Sequence, residues 1–232
     1  ANPFASVESL TQILKGLNSY DEIKMRMLGE FISLSGLVYG SQFKKDIHVI
    51  PPFDMSCNCG QVTHREDCNY EKYIGYLGVD PHMVKDSTSA LCGLDREDNF
   101  YVDTCYKQPA DVEQMRKDHA SILTGRRMGF SVFDPSSDST ITAFSGLNIF
   151  KMLTKSPNPF PRSRKGEKYQ GSIAAGVQTI KDRLKINEQT KKPRFYIFDR
   201  PENQELIKSM RTMQRDTFQN EAVKGLKDKI QE

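Results

Sequence analysis

The sequence predicts a mixed α/β fold, a β-sheet with helices on its faces, on three observations. Three strand-like runs, at 73–79, 89–94 and 100–106, are joined by short turns. Two further apolar runs, at 129–133 and 194–198, are set apart by longer segments. Apolar residues recur at helical spacing over 111–124, over 171–186 and from about Glu202 onward. Strands joined by turns, followed by strands alternating with helices, describe a mixed sheet covered by helices.

The elements follow in order. Residues 6–17 put Val7, Leu10, Ile13, Leu14 and Leu17 on one helical face behind Ser6, an N-cap type. A second helix starts at Ser19-Tyr20-Asp21-Glu22 and runs to about Phe31. Leu34–Tyr39 and Ile47–Ile50 read as extended, the latter closed by Pro51-Pro52. Residues 54–70 are polar, cysteine-rich and aperiodic, which predicts an inserted loop. In the next stretch Asp95-Arg96-Glu97-Asp98-Asn99 supplies the turn between the second and third strands. The helix at 111–124 carries Val112, Met115, His119 and Ile122 on one face, so His119 reads as a core residue. Residues 136–170 form a long loop with a Pro-rich piece, Ser156-Pro157-Asn158-Pro159-Phe160-Pro161. The helix at 171–186 is expected to turn Ile173, Val177, Ile180 and Leu184 inward, and the last helix Leu206, Met210, Met213 and Phe218.

The resulting order, β-β-β-α-β-loop-α-β-α, is that of an RNase H-like fold. There the first and fourth strands lie side by side. Here they end in Gly78-Val79-Asp80-Pro81-His82 and Phe133-Asp134-Pro135, so Asp80 and Asp134 become neighbours. Taken singly, each aspartate before a proline is also a common turn residue. Taken together, they are the oxygen donors that a hard divalent cation prefers. Two Mg²⁺ or Mn²⁺ ions about 3.5–4 Å apart are a known solution for phosphodiester hydrolysis. His82 reads first as a loop residue, with contact to phosphate or to an outer water as the other reading.

Composition narrows the class. Charged residues make up 27% of 232 residues, which fits one folded domain with appendages. No apolar stretch reaches the length of a membrane span, and the start has no signal-peptide pattern. The chain opens on Ala1 and reads as a piece excised from something longer. Net charge is only +3, but twelve Lys or Arg stand against three acids between Lys151 and Arg194. This asymmetry predicts a basic face, either solvated or used to hold a polyanion. Lys155, Arg162, Arg164, Lys165 and Lys168 fall in or beside the long loop after Asp134 and are the candidates for DNA phosphate contact.

Five cysteines without a secretory signal argue against a disulfide framework. Cys57-x-Cys59-x4-His64-x3-Cys68 gathers three thiols and an imidazole within the inserted loop. Two readings stand: a structural Zn²⁺ on four ligands, or free thiols on a polar loop. Cys92 and Cys105 fall in strands and read as buried thiols.

Several segments also resemble one family. Glu30-Phe31-Ile32-Ser33-Leu34-Ser35-Gly36-Leu37-Val38-Tyr39 resembles the start of the nuclease domain in large terminase subunits of tailed bacteriophages. Asn2-Pro3-Phe4-Ala5-Ser6 and the helix pair after it resemble the tail of the linker from the packaging ATPase. Gly78-Val79-Asp80-Pro81-His82 is similar to the family's first catalytic motif and Phe133-Asp134-Pro135-Ser136 to its second. Gly171 with Gln178–Leu184 resembles the helix after the family's variable loop. The resemblance spans nearly the whole chain and rests on the order of these motifs.

It implies a helical linker segment at 1–32 and an RNase H-like nuclease domain at 33–232. It implies an endonuclease that cuts concatemeric double-stranded DNA with Mg²⁺ or Mn²⁺, with Asp80 and Asp134 in the first two catalytic roles. The implied partners are viral DNA, a packaging ATPase domain in the same full-length chain, the portal and the small terminase subunit, in the host cytoplasm. The family's third acid lies in an Asp-His-rich motif that this chain lacks. Asp228 is the nearest candidate, and the expectation is that the third ligand lies beyond Glu232. No Gly-x-x-x-x-Gly-Lys-Ser/Thr segment occurs, so no nucleotide hydrolysis is expected of this chain. Two other readings remain: a non-catalytic fragment that docks DNA or a motor component, and another RNase H-like nuclease such as a resolvase.

Overall fold

A computed structural model describes residues 37–40, 42–57, 59, 68–82, 85–109, 111–138, 147–157, 159–169 and 171–213. The expected helices at 1–32, His64, Phe218 and Asp228 lie outside the described residues. The chain divides into two compact units, Lys45–Ile207 and a smaller one drawn from Ala1–Lys44 with Lys208–Glu232. In the smaller unit, the amide of Val38 donates to the carbonyl of Met213 at 2.8 Å.

In chain order the elements are α1 (Lys45–His48), β1 (Val49–Ile50), α2 (Asn69–Lys72), β2 (Tyr73–Asp80), β3 (Ser87–Asp95), β4 (Phe100–Gln108), α3 (Val112–Ile122), β5 (Met128–Phe133), α4 (Ile149–Thr154), β6 (Arg164–Lys165), α5 (Ser172–Leu184), β7 (Phe195–Phe198) and α6 (Gln204–Thr212). The strands form a seven-stranded mixed sheet in the order β1-β7-β4-β3-β2-β5-β6. β2, β3 and β4 are an antiparallel meander. β5 runs parallel to β2, and β6 parallel to β5. This is the RNase H-like arrangement expected from the element order, with a difference at each edge of the sheet. β7, the strand after α5, joins the far edge, parallel to β4 rather than beside β5. Arg164–Lys165 takes the position beside β5 instead.

The turn before β4 shows how local chemistry sets register. Asp95 accepts from the amides of Glu97 and Asn99 and from the Asn99 side chain. That carboxylate satisfies the amides a tight turn leaves open. One sheet face packs on α3 and α4 through Leu77, Val79, Leu91, Met115, Leu123, Phe133, Ile149, Leu153 and Phe160. α3 starts at Asp111, whose carboxylate accepts from the amides of Glu113 and Gln114. It buries Met115 and His119 as expected. His119 bonds the Met115 carbonyl and Ser89 Oγ, so its polar atoms are satisfied inside the core. Asp103 is buried between Arg126, at 2.7 Å, and Arg200, at 3.0 Å, tying β4 to the turn before β5 and to the end of β7.

Three expectations need correction. The segment at 136–170 is not an unstructured loop throughout. It holds a 3₁₀ turn at Pro135–Asp138, the helix α4 and the strand β6. α4 is only six residues long, too short for periodicity to show. It exists because Asn148 caps it, accepting from the Lys151 amide, and because Ile149 and Leu153 are buried. In α5 only Leu184 is buried, and Ile173 is 55% exposed. Burial in α5 is confined to its C-terminal end, so most of its apolar spacing does not reach the core. In α6 the buried positions are Ile207 and Met210, while Met213 is exposed. Among the described residues no helix is long and apolar enough to cross a membrane.

Candidate functional site

β2 and β5 are paired through Val79 and Phe133. The next residue is an aspartate in each case, Asp80 at the end of β2 and Asp134 just past β5, and the Asp134 amide donates to the Val79 carbonyl at 2.9 Å. Asp80 and Asp134 therefore leave the same end of two adjacent parallel strands. The carboxyl end of parallel strands is where open α/β sheets hold ligands. Alternation turns Leu77 and Val79 into the core and Asp80 away from it, and the Asp80 side chain is 51% exposed. Gly78 lies on the same outward face, where an added Cβ would meet nothing within 4 Å. The face beside Asp80 is open.

Each carboxylate has local support. His82 Nε2 lies 3.6 Å from Asp80 Oδ2. The turn carrying His82 is held by Ser87, whose buried hydroxyl accepts from the His82 amide at 2.9 Å. Asp134 Oδ1 accepts from the Ser136 amide at 2.7 Å and also from the Ser136 hydroxyl. The two carboxylates suit Mg²⁺ or Mn²⁺ by charge and hardness. Among the described residues no third carboxylate, imidazole or thiol joins Asp80 and Asp134 in a group whose ligand atoms all lie within 4.8 Å of one another.

The basic candidates separate into two sets. Arg164 and Lys165 form β6, paired with Val132 and Phe133 next to Asp134. The Gly166 amide then donates to the Phe133 carbonyl at 2.8 Å. Arg164 stacks its guanidinium on the Phe130 ring, 3.4 Å from the centroid. Arg162 precedes this strand, exposed, in a left-handed backbone conformation with φ 45°. Lys168 is exposed beyond it. Lys155, by contrast, ends α4 and pairs with Glu113 at 2.6 Å.

Sequence reading missed Arg116. It is buried on α3 between Met115 and Lys117, and it holds the start of the basic segment. Its guanidinium donates to the carbonyls of Met152, Leu153, Lys155 and Pro157, at 2.6–3.2 Å. Three of these are carbonyls at the end of α4 that the helix itself leaves open. An arginine beside the apolar face of α3 was the signal available, but its partners lie some forty residues on.

Of the cysteine candidates, Cys57, Cys59 and Cys68 come together, with sulfurs within 4.8 Å of one another. Cys92 and Cys105 stand apart on β3 and β4. Burial raises the Cys105 thiol to about 11, and burial also raises Cys92. Neither is a thiolate at neutral pH.

No family model matches the chain, and no curated protein matches it. Solved structures do. The chain is similar to the large terminase of a thermophilic bacteriophage, with a TM-score of 0.51 and 17% identity, over 76% of this chain and 37% of that one. It is also similar to the P22 large terminase nuclease domain, with a TM-score of 0.46 and 13% identity, over 71% of this chain and 73% of that one. The match thus spans well under half the length of the thermophilic phage protein. By its strand order and by this likeness, the chain has an RNase H-like fold shared with part of the large terminase of that thermophilic phage.

Proposed function

We propose that this chain is the metal-dependent DNA endonuclease domain of a viral packaging terminase. The observation that carries the reading is the pair of aspartates at the adjacent ends of β2 and β5. In this reading Asp80 and Asp134 hold Mg²⁺ or Mn²⁺. When bound, the ions supply a water made nucleophilic at neutral pH and offset the charge that builds on the phosphate. The chain's own residues do the rest. Ser136 holds the Asp134 carboxylate by hydrogen bonds, and His82 lies beside that of Asp80. Arg162, Arg164, Lys165 and Lys168 take phosphates of double-stranded DNA beside the metal site, without reading sequence. Lys155, which also pairs with Glu113, is a further phosphate candidate at the start of the same segment.

The remaining parts of the reading concern the larger protein. They are a helical linker at 1–32, a packaging ATPase domain in the full-length chain, portal and small-subunit partners, and the host cytoplasm. A structural Zn²⁺ on Cys57, Cys59, His64 and Cys68 completes the metal complement. The test is plasmid cleavage in Mn²⁺: activity is expected from the native chain and lost in Asp80→Ala. Retained cleavage in that variant rejects the assignment.

A second reading is a DNA- or motor-docking domain that does not cut. It is favoured by one observation, the lack among the described residues of a third ligand grouped with Asp80 and Asp134. Parallel assays of this chain and of a chain extended beyond Glu232 separate the two. Cleavage by this chain supports the first reading, and cleavage by the extended chain alone supports the second.

A further inference from the structure

The 54–70 connection meets the turn that opens β5 from both of its ends. At the first end, the Cys57 amide donates to the Gly125 carbonyl at 2.8 Å. The fit is close, since a Cβ at Gly125 would fall 2.5 Å from the Cys57 carbonyl oxygen, and Gly125 has φ +72°. At the second end, Cys68 opens α2, and Glu71 of α2 pairs with Arg127 at 2.9 Å. The Arg127 carbonyl in turn accepts from the Gly75 amide of β2 at 2.7 Å. The turn at 125–127 is therefore gripped by two chain segments, and the residues at their tips are Cys57 and Cys68, with sulfurs 2.7 Å apart.

Met55 is buried at one end, and the Asn69 side chain donates to the Asp54 carbonyl at 2.7 Å. The rest of the connection is polar, so a cross-link at its neck supplies what an apolar core does elsewhere. Cys59 closes on the same point, and its amide donates to Cys57 Sγ at 3.4 Å. Three cysteine sulfurs can take three corners of a zinc tetrahedron, in which Zn–S bonds of about 2.3 Å would set them about 3.8 Å apart, wider than the 2.7 Å between Cys57 and Cys68 here. The sequence candidate for the fourth corner, His64, lies outside the described residues.

We propose that one Zn²⁺ on Cys57, Cys59 and Cys68 acts as a clamp, locking both ends of the 54–70 connection around the Gly125–Arg127 turn and so fixing the start of β5. The inference extends the structural zinc of the proposed function and gives it a task. β5 carries Asp134 six residues beyond its first residue, about 20 Å away. The ion is thus a support for the strand, remote from the carboxylates.

The test uses the whole chain and needs no DNA. Zinc is measured after dialysis against metal-free buffer, with Co²⁺ exchange as the spectroscopic check. About one zinc per chain is expected, with a thiolate-to-cobalt charge-transfer band. Cys59→Ser is expected to lose the ion and Asp80→Ala to keep it, so this result is independent of whether the chain cuts DNA. Hydrogen exchange before and after chelation reads the clamp: amides at 125–131 are expected to exchange at least tenfold faster without zinc. Folded native protein without zinc overturns the proposal. So does a Cys57–Cys68 disulfide, seen as three rather than five titratable thiols in denaturant. Faster exchange confined to 54–70, with 125–131 unchanged, rejects the clamp.

Discussion

The amide of Asp134 donates to the carbonyl of Val79 across 2.9 Å. This bond is the last rung of the β2–β5 ladder, and each strand ends in an aspartate just beyond it. The spacing of the two carboxylates is thus set by backbone pairing deep in the core, where Val79 and Phe133 are buried. Several consequences can be measured.

The basic strand beside this rung is expected to act through charge alone. In the triple variant Arg162→Ala, Arg164→Ala, Lys165→Ala, the β6 backbone pairing with β5 can persist. The slope of log affinity against log salt for duplex DNA should fall by about two to three. The check is a fluorescence titration at several salt concentrations, and an unchanged slope rejects the phosphate-contact role.

Arg116 should matter to stability more than its position on a helix indicates. Arg116→Met fills similar volume but leaves four carbonyls without their donor. A loss of about 2–4 kcal/mol is expected, because buried acceptors left unpaired are costly. Urea denaturation measures it, and a loss below about 0.5 kcal/mol would contradict the account.

Gly125→Ala combines a strained φ with a collision on the Cys57 carbonyl. It should cost about 1–3 kcal/mol. The same substitution at Gly78, where an added Cβ meets nothing, should be nearly neutral. Thermal melts of the two variants test the contrast directly.

His119 gives the fold a pH dependence with a defined sign. Burial pushes its imidazole below the ordinary value of 6.5. Between its folded value and 6.5 the unfolded chain binds more protons than the folded one, so stability rises with pH in that window and is lost as pH falls through it. His119→Gln should show a smaller loss between pH 7.5 and pH 5 than the native chain. Equal losses in urea titrations at the two pH values would remove His119 as a cause.

The sequence made the strand ends legible because they are local signals: an apolar run, then Asp-Pro. Their adjacency followed from element order, and the structure has it. Three features were hidden because they depend on distant partners. β7 pairs with β4 rather than following α5 to the β5 edge, and nothing in Phe195–Phe198 encodes that choice. α4 depends on the Asn148 cap and on Arg116 from another helix. α5 has good apolar spacing, yet Ile173 stays exposed because spacing does not say whether a surface lies opposite. At the cysteine loop, spacing alone brought out Cys57, Cys59 and Cys68 as a group, but not their seat on the Gly125 turn.

The proposed function rests on a divalent-metal site shared by Asp80 and Asp134. It is tested most directly by a crystal soaked in Mn²⁺ and measured at the manganese absorption edge. Anomalous density is expected between the two carboxylates, with oxygens of both about 2.1 Å from an ion. Manganese bound only elsewhere, with Asp80 and Asp134 both bare, would contradict it.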